Sequence, residues 1–301
     1  MDQRPTFGTT AVAAVRLLRI RQWLKNTFVL APLVFAGDLG RTESVINALA
    51  AFGSFCLMSS AVYVMNDLLD RDSDRHHPEK RDRPIAAGLV SVPAAVAAGL
   101  ALAGASLGLA ATVGPVVIAL LSGYFLLNLA YSVYLKRLVI LDVFSIAAGF
   151  VIRVLVGAYA IPVTASHWLL LCTFLLALFL GFSKRRTELV LLQSGSESHR
   201  PVLAWYSAEL ITYMNLIVCA ATIVCYALYT VAPETIEKFH TDALVYSVPF
   251  VVYGVFRYLF LVYALGEGGS PADMVLRDRP LLACVTLWAA YCSFVIYVWR
   301  P

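Results

Sequence analysis

Nine apolar runs alternate with short polar segments along this chain, at roughly residues 19–36, 45–65, 91–112, 115–134, 139–161, 167–183, 207–231, 243–265 and 280–299. Each is near the ~20 residues that an α-helix needs to cross a bilayer. The pattern therefore predicts an all-α, polytopic membrane protein with nine transmembrane helices. The first run is the weakest: only 27–36 is cleanly apolar, and its approach, RLLRIRQWLKN (16–26), is basic and amphipathic. No small-residue cleavage site follows the basic start, so no cleavable signal is expected. No linker, low-complexity tract or repeat breaks the series, which reads as a single membrane domain over 1–301.

Composition agrees with the pattern. The 301 residues are 60% hydrophobic and 14% charged, against about a quarter charged in soluble chains. Loop charge gives the orientation, because Lys and Arg accumulate on the cytoplasmic side. With the N-terminus inside, alternate segments carry 18 Lys or Arg inside, from Arg4 to Arg279, and 3 outside: Arg41, Lys238 and Arg300. Arg153 and Arg257 complete the 23, within spans. The C-terminus is then outside. All six cysteines (56, 172, 219, 225, 284, 292) fall in apolar runs without CxxC spacing, and read as small core residues. The basic positions follow the inside loops of a lipid-embedded chain, and no nucleic-acid partner is expected.

The charge is concentrated in NDLLDRDSDRHHPEKRDRP (66–84). Asn66, Asp67, Asp70 and Asp74 form NDxxDxxxD. If the preceding helix continues past the membrane surface, these positions share about one face. Stacked carboxylates repel one another unless a cation lies between them, and Mg²⁺ suits a few carboxylates plus substrate phosphates. The same run also reads as a solvated, charge-mixed loop, and spacing alone leaves both readings open. Asp72 and Asp82 fall off the face. Lys80, Arg81 and Arg83 precede PIAAG, where Pro84 and Gly88 break the helix. Bases beside metal-binding acids suit a metal-bridged phosphate anion. His76 and His77 lack partners at zinc spacing and read as loop residues.

This arrangement of span, NDxxDxxxD and RPIAAG, with YSVYLKR (131–137) after the fourth span, resembles the UbiA superfamily of intramembrane prenyltransferases over essentially the whole chain. The resemblance implies a UbiA-like helical bundle with a cytoplasmic cap. It also implies that Asn66, Asp67, Asp70 and Asp74 hold Mg²⁺ and a diphosphate.

The loop after the sixth span departs from the family's aromatic prenyltransferases, which carry a second acidic motif, DxxxD, there. Here GFSKRRTELVLLQSG supplies Lys184, Arg185, Arg186 and only Glu188. Bases in that place would bind phosphate directly, arginine in bidentate fashion; they also read as plain positive-inside anchors. Together with RQWLKN (21–26), the loop resembles a narrower branch, the decaprenyl-phosphate phosphoribosyltransferases of bacterial plasma membranes and cell wall biosynthesis. Arg153 and Arg257 sit where a charge costs about 2.5–3.5 kcal/mol on insertion scales, which points to a wet cavity or, for Arg257, to a structural partner or snorkelling. Asp142 reads as a partner for Lys136 or Arg137, and Asp278 as a loop ion pair between Arg277 and Arg279.

What the narrower resemblance implies is a membrane transferase that moves 5-phosphoribose from phosphoribosyl diphosphate to a polyprenyl phosphate, releasing diphosphate. Asp67, Asp70 and Asp74, with Asn66, would hold the metal; Lys80, Arg81 and Arg83 would neutralise the leaving diphosphate. Lys25, Asn26, Tyr131, Lys136, Arg153, Lys184 and Arg185 would hold substrate phosphates, with Glu188 on a ribose hydroxyl. An aromatic prenyltransferase using a prenyl diphosphate is the alternative. A transporter, the third reading, would need broken or polar helices at mid-membrane.

Overall fold

The computed structural model describes residues 15–77, 80–193, 201–266 and 271–299; Arg4, Arg200 and Arg300 of the charge count lie outside them. A 3-10 helix, Ile20–Leu30, runs into α1 (Ala31–Ala36). There follow α2 (Thr42–Leu69), α3 (Arg71–His76), α4 (Val92–Ala111), α5 (Pro115–Val133), α6 (Leu141–Ala160) and α7 (His167–Gln193). The chain continues through α8 (Ala208–Val231), α9 (Pro233–Phe239), α10 (Val248–Tyr263), α11 (Pro271–Arg277) and α12 (Arg279–Tyr297). Among the described residues no strand occurs, and eight helical segments are long and apolar enough to cross a membrane.

The first predicted span, 19–36, takes the form of the 3-10 helix and α1 rather than one α-helix. Three residues per turn place every third side chain on one side. Trp23, Asn26 and Val29 share that spacing. Trp23 Nε1 donates to Ser60 Oγ at 3.1 Å, Asn26 Nδ2 donates to Ser59 Oγ at 3.0 Å, and Val29 is fully buried. The polar half of the stripe thus follows serines on α2, and the basic residues between are left outside it. Gly37, at φ 80°, closes α1 in a conformation that favours glycine.

The chain folds as two compact units. Residues of the first come from 1–33, 38–135 and 152–164. Its central element is α2, with 56% of its apolar window buried against 17% in α4. Small residues bring α4 onto it: Ser106 Oγ donates to the Ser54 carbonyl at 2.7 Å, and Gly99 faces Val64. Close approach through small residues is how helices pack where lipid is as apolar as the side chains. Gly157, in the last turns of α6, lies so near Val29 that a Cβ there would fall 1.9 Å from its carbonyl oxygen.

The second unit comprises 34–37, 136–151 and 165–301. Val143, Phe182, Leu189, Leu203 and Ile211 form one core, and Phe179, Tyr258 and Leu261 another. Arg257, buried in part along α10, has a structural partner: its Nε and Nη2 donate to Asp278 Oδ1 (3.1 Å) and Oδ2 (2.7 Å). Asp278 also caps α12 by accepting the Leu281 amide at 2.8 Å. The expected pairing of Asp278 with its chain neighbours is therefore replaced by a bidentate bond to α10. All six cysteines are free, five of them buried.

Candidate functional site

In the first unit, the charged site is built where α2 ends. The helix does not continue through the motif as the spacing predicts. It stops at Leu69, Asp70 takes φ −93° and ψ 5°, and α3 starts afresh. The two ends remain joined, the Asp70 amide bonding to the Asn66 carbonyl (2.9 Å) and the Asp74 amide to the Asp70 carbonyl (2.8 Å). Asp67 and Asp74 are each 3% exposed, while Asp70 is half-buried and Asp72 and Asp82 face out.

Asp67 and Asp74 meet on one atom. Arg83 Nη1 donates to Asp67 Oδ1 at 3.1 Å and to Asp74 Oδ2 at 2.7 Å. The PIAAG turn delivers that arginine: Ile85 is buried beside Leu17, Val64 and Ala95, and Arg75 Nε bonds the Ala86 carbonyl at 3.2 Å. A second guanidinium reaches the same acid, with Arg19 Nη2 2.5 Å from Asp67 Oδ1 and its charge 4.9 Å above the Tyr63 ring. Asn66 Oδ1 accepts from Ser132 Oγ at 2.5 Å.

Arg153 is 5% exposed in the same unit. Its Nε donates to Asn26 Oδ1 at 3.0 Å, its Nη2 to Tyr124 OH at 3.1 Å, and its charge lies 4.8 Å above the Phe55 ring. Asn26 is thus wholly buried, bonded to Ser59 and Arg153. Lys25, Lys80 and Tyr131 are half-buried and Arg81 is exposed.

The second unit holds a separate charged network. Arg185, 1% exposed, donates from Nε to Asp142 Oδ2 and from Nη1 to Glu188 Oε2, both at 2.6 Å. Tyr206 OH donates to Asp142 Oδ1 at 3.0 Å and accepts the Ile140 amide at 2.6 Å. Burial pushes the Tyr206 phenol well above its usual range, and the nearby Asp142 carboxylate pushes the same way against the Ile140 amide. Lys184 Nζ lies 4.0 Å from Glu188 Oε1, and Arg186 stacks 3.9 Å over Tyr263. Lys136 is half-buried.

Asp142 therefore adds a second acid beside the basic loop's own Glu188, and its partner is Arg185 rather than Lys136 or Arg137. Sequence reasoning did not place Arg19, Ser132, Tyr124 or Tyr206 at these sites. Arg19, Ser132 and Tyr206 carry a signal, since each is polar and lies close to an apolar segment boundary, and Ser132 also falls within YSVYLKR; Tyr124, in mid-run, carries none.

The first centre fits a divalent cation on its donor chemistry. Two buried carboxylate oxygens already converge on a cationic nitrogen, and hard oxygen donors are what Mg²⁺ selects. Among the described residues no three His, Cys, Asp or Glu side chains form a ready-made cage.

A polytopic helical chain with a buried acid–arginine centre at one helix end has the groups to hold a phosphate-bearing ligand at the membrane surface, and the family match below makes it a membrane transferase. Residues 27–269 match the UbiA prenyltransferase family, and the chain belongs to that family. It is 31% identical over 292 residues to the decaprenyl-phosphate phosphoribosyltransferase of Corynebacterium glutamicum, covering 94% of this chain and 86% of that one. It is 32% identical to the protein of the same name from Mycolicibacterium smegmatis, covering 98% and 97%. A solved UbiA homolog from Archaeoglobus fulgidus, bound to GPP and Mg²⁺, shares the fold with a TM-score of 0.70 and 20% identity, over 94% of this chain and 99% of that one.

Proposed function

We propose that this transferase moves 5-phosphoribose from phosphoribosyl diphosphate to a polyprenyl phosphate of the decaprenyl type, with Mg²⁺, at the cytoplasmic face of a bacterial plasma membrane. Nine spans, the N-terminus inside and the C-terminus outside complete the proposed topology, which rests on the 18-to-3 loop bias. The observation that carries the proposal is one contrast. The acidic NDxxDxxxD centre is kept, whereas Lys184, Arg185 and Arg186 stand where aromatic prenyltransferases carry a second acidic motif. The relatives named as phosphoribosyltransferases support it over nearly the whole chain.

Asp67, Asp70 and Asp74, with Asn66, would hold the metal against the donor's diphosphate. The ion would supply Lewis-acid withdrawal of charge from the leaving group. Arg83, with Lys80 and Arg81, would neutralise the diphosphate as it departs. Lys25 and Tyr131 in the first unit, and Lys136 and Lys184 in the second, are the proposed phosphate-facing groups, with Glu188 toward a ribose hydroxyl; Asn26, Arg153 and Arg185, expected in that set from sequence, are instead buried and bonded within their own units. The lipid phosphate oxygen attacks C1 of the ribose, the C1–oxygen bond to diphosphate breaks, and diphosphate leaves with the bonding pair. The nucleophile is already an anion, so no general base is required.

The test is direct. Purified protein should transfer label from phosphoribosyl diphosphate to decaprenyl phosphate in Mg²⁺ and not in chelator. Transfer of a prenyl group to an aromatic acid instead would replace this reading with the aromatic one.

A further inference from the structure

Asp67 Oδ1 is contested by two arginines that are held differently. Arg83 bridges to Asp74 as well, and the buried PIAAG turn anchors it. Arg19 reaches across from the N-terminal segment to that single oxygen, with Tyr63 as its stacking surface. Its backbone sits at φ 50° and ψ 48°, the left-handed region that a non-glycine residue adopts rarely, where the chain turns into the 3-10 helix. Its side chain is 24% exposed, so the guanidinium lies at the edge of the site.

From this geometry we infer that Arg19 is a latch on the metal site: a built-in cation that competes with the divalent ion for Asp67 and yields when the diphosphate arrives. The inference rests on the Mg²⁺–diphosphate reading above. A divalent ion bonds a carboxylate oxygen at about 2.1 Å, and Arg19 Nη2 lies 2.5 Å from the same oxygen. The two cations would then be at most about 4.6 Å apart, close enough to repel strongly inside a protein. Either the ion binds weakly or the guanidinium leaves. A diphosphate beside the ion reverses that balance, because its negative charge attracts both cations. Metal alone is therefore disfavoured and metal with diphosphate favoured, which is a coupling between two ligands through one side chain. The consequence is order: the acidic face does not load with metal ahead of the donor.

Mn²⁺ serves as the probe, titrated by electron paramagnetic resonance into the full-length protein in nanodiscs, with labelled diphosphate retention as a second measurement. Arg19→Gln should bind Mn²⁺ alone about tenfold more tightly than the wild type. Arg19→Lys, which keeps the charge, should stay near the wild type. Unchanged or weaker Mn²⁺ binding by Arg19→Gln would overturn the latch. An equal gain in Arg19→Lys would overturn it too, because loosening of the segment and not charge would then be the cause. The wild type should retain diphosphate only with Mn²⁺, and Asp67→Asn should lose both. If the wild type retains none and Asp67→Asn does not alter Mn²⁺ binding, the metal reading itself fails and the latch with it.

Discussion

Arg185 and Asp142 lie 43 residues apart in sequence and 2.6 Å apart in space, both shielded almost completely from solvent. Removing one member of a buried ion pair strands the other, at a cost of about 3–5 kcal/mol. Asp142→Ala should therefore lower the thermal midpoint in detergent sharply. Tyr206→Phe, which removes the hydroxyl bonded to Asp142 and Ile140, should cost less, about 1–3 kcal/mol. Differential scanning fluorimetry with a thiol-free dye compares the two. Equal midpoints for Asp142→Ala and wild type would mean that the network contributes no stability.

Asp70→Asn should lower the proposed phosphoribosyl transfer by on the order of a hundredfold or more in kcat, with helix content and midpoint preserved. Asp70 stands at the break between α2 and α3 and is half-buried, so its carboxylate is removed without emptying a core. Turnover near the wild-type rate at ordinary Mg²⁺ would exclude it from the proposed metal set.

Lys184 is the cation of the basic loop best placed to take a substrate phosphate, since its side chain is 43% exposed while that of Arg185 is 2%. Lys184→Ala should raise the apparent KM for a phosphate-bearing substrate roughly ten- to a hundredfold, the loss of one charge-assisted bond of about 1.5–3 kcal/mol. Its midpoint should barely move. A steady-state titration of donor and acceptor in turn identifies which substrate it serves, and an unchanged KM for both would leave Lys184 a topology anchor.

Gly157→Ala should destabilise the first unit, because the new methyl would meet the Val29 carbonyl at 1.9 Å and backbone must move. Overpacking of this kind costs about 1–3 kcal/mol or more. Gly104→Ala in α4 has nothing within 4 Å, and should be neutral or stabilising by up to about 1 kcal/mol. The opposite signs, read from two melting curves, test the close approach itself.

The Arg257 guanidinium bonded to Asp278 holds that carboxyl below its usual value, with the Leu281 amide acting in the same direction. A depressed folded value means that this stability is complete above the unfolded pKa of about 3.9 and is lost as pH falls through the lower folded one. Wild-type thermal stability should therefore drop on acidification below about pH 4, and Asp278→Asn should show a shallower drop from a lower start. A parallel acid dependence in both proteins would assign the effect to other carboxylates.

Apolar run length alone was enough to read eight of the helices, because lipid leaves a spanning backbone little choice but to bond within itself. The segment at 19–36 was misread in form, since hydropathy cannot tell an α-helix from a 3-10 helix whose three-residue stripe follows Ser59 and Ser60. At the charged centre, the linear pattern exposed Asp67 and Asp74 but assumed one unbroken helix; a break at Asp70 achieves the same convergence. Arg19 and Asp142 were missed as partners for a common reason. Each pairs across more than forty residues, and one sequence holds no sign of which distant charge it will meet.

Arg153 also bears on the order of synthesis. Asn26, Phe55 and Tyr124, the partners described for its guanidinium, all precede it in the chain. When α6 emerges from the ribosome, each of those groups has already been made. A charge that resists entry into lipid can then pass from the insertion machinery to neighbours that are already waiting, instead of crossing the bilayer alone. Moving those partners downstream, by circular permutation between α5 and α6, would ask the same helix to insert before its acceptors exist.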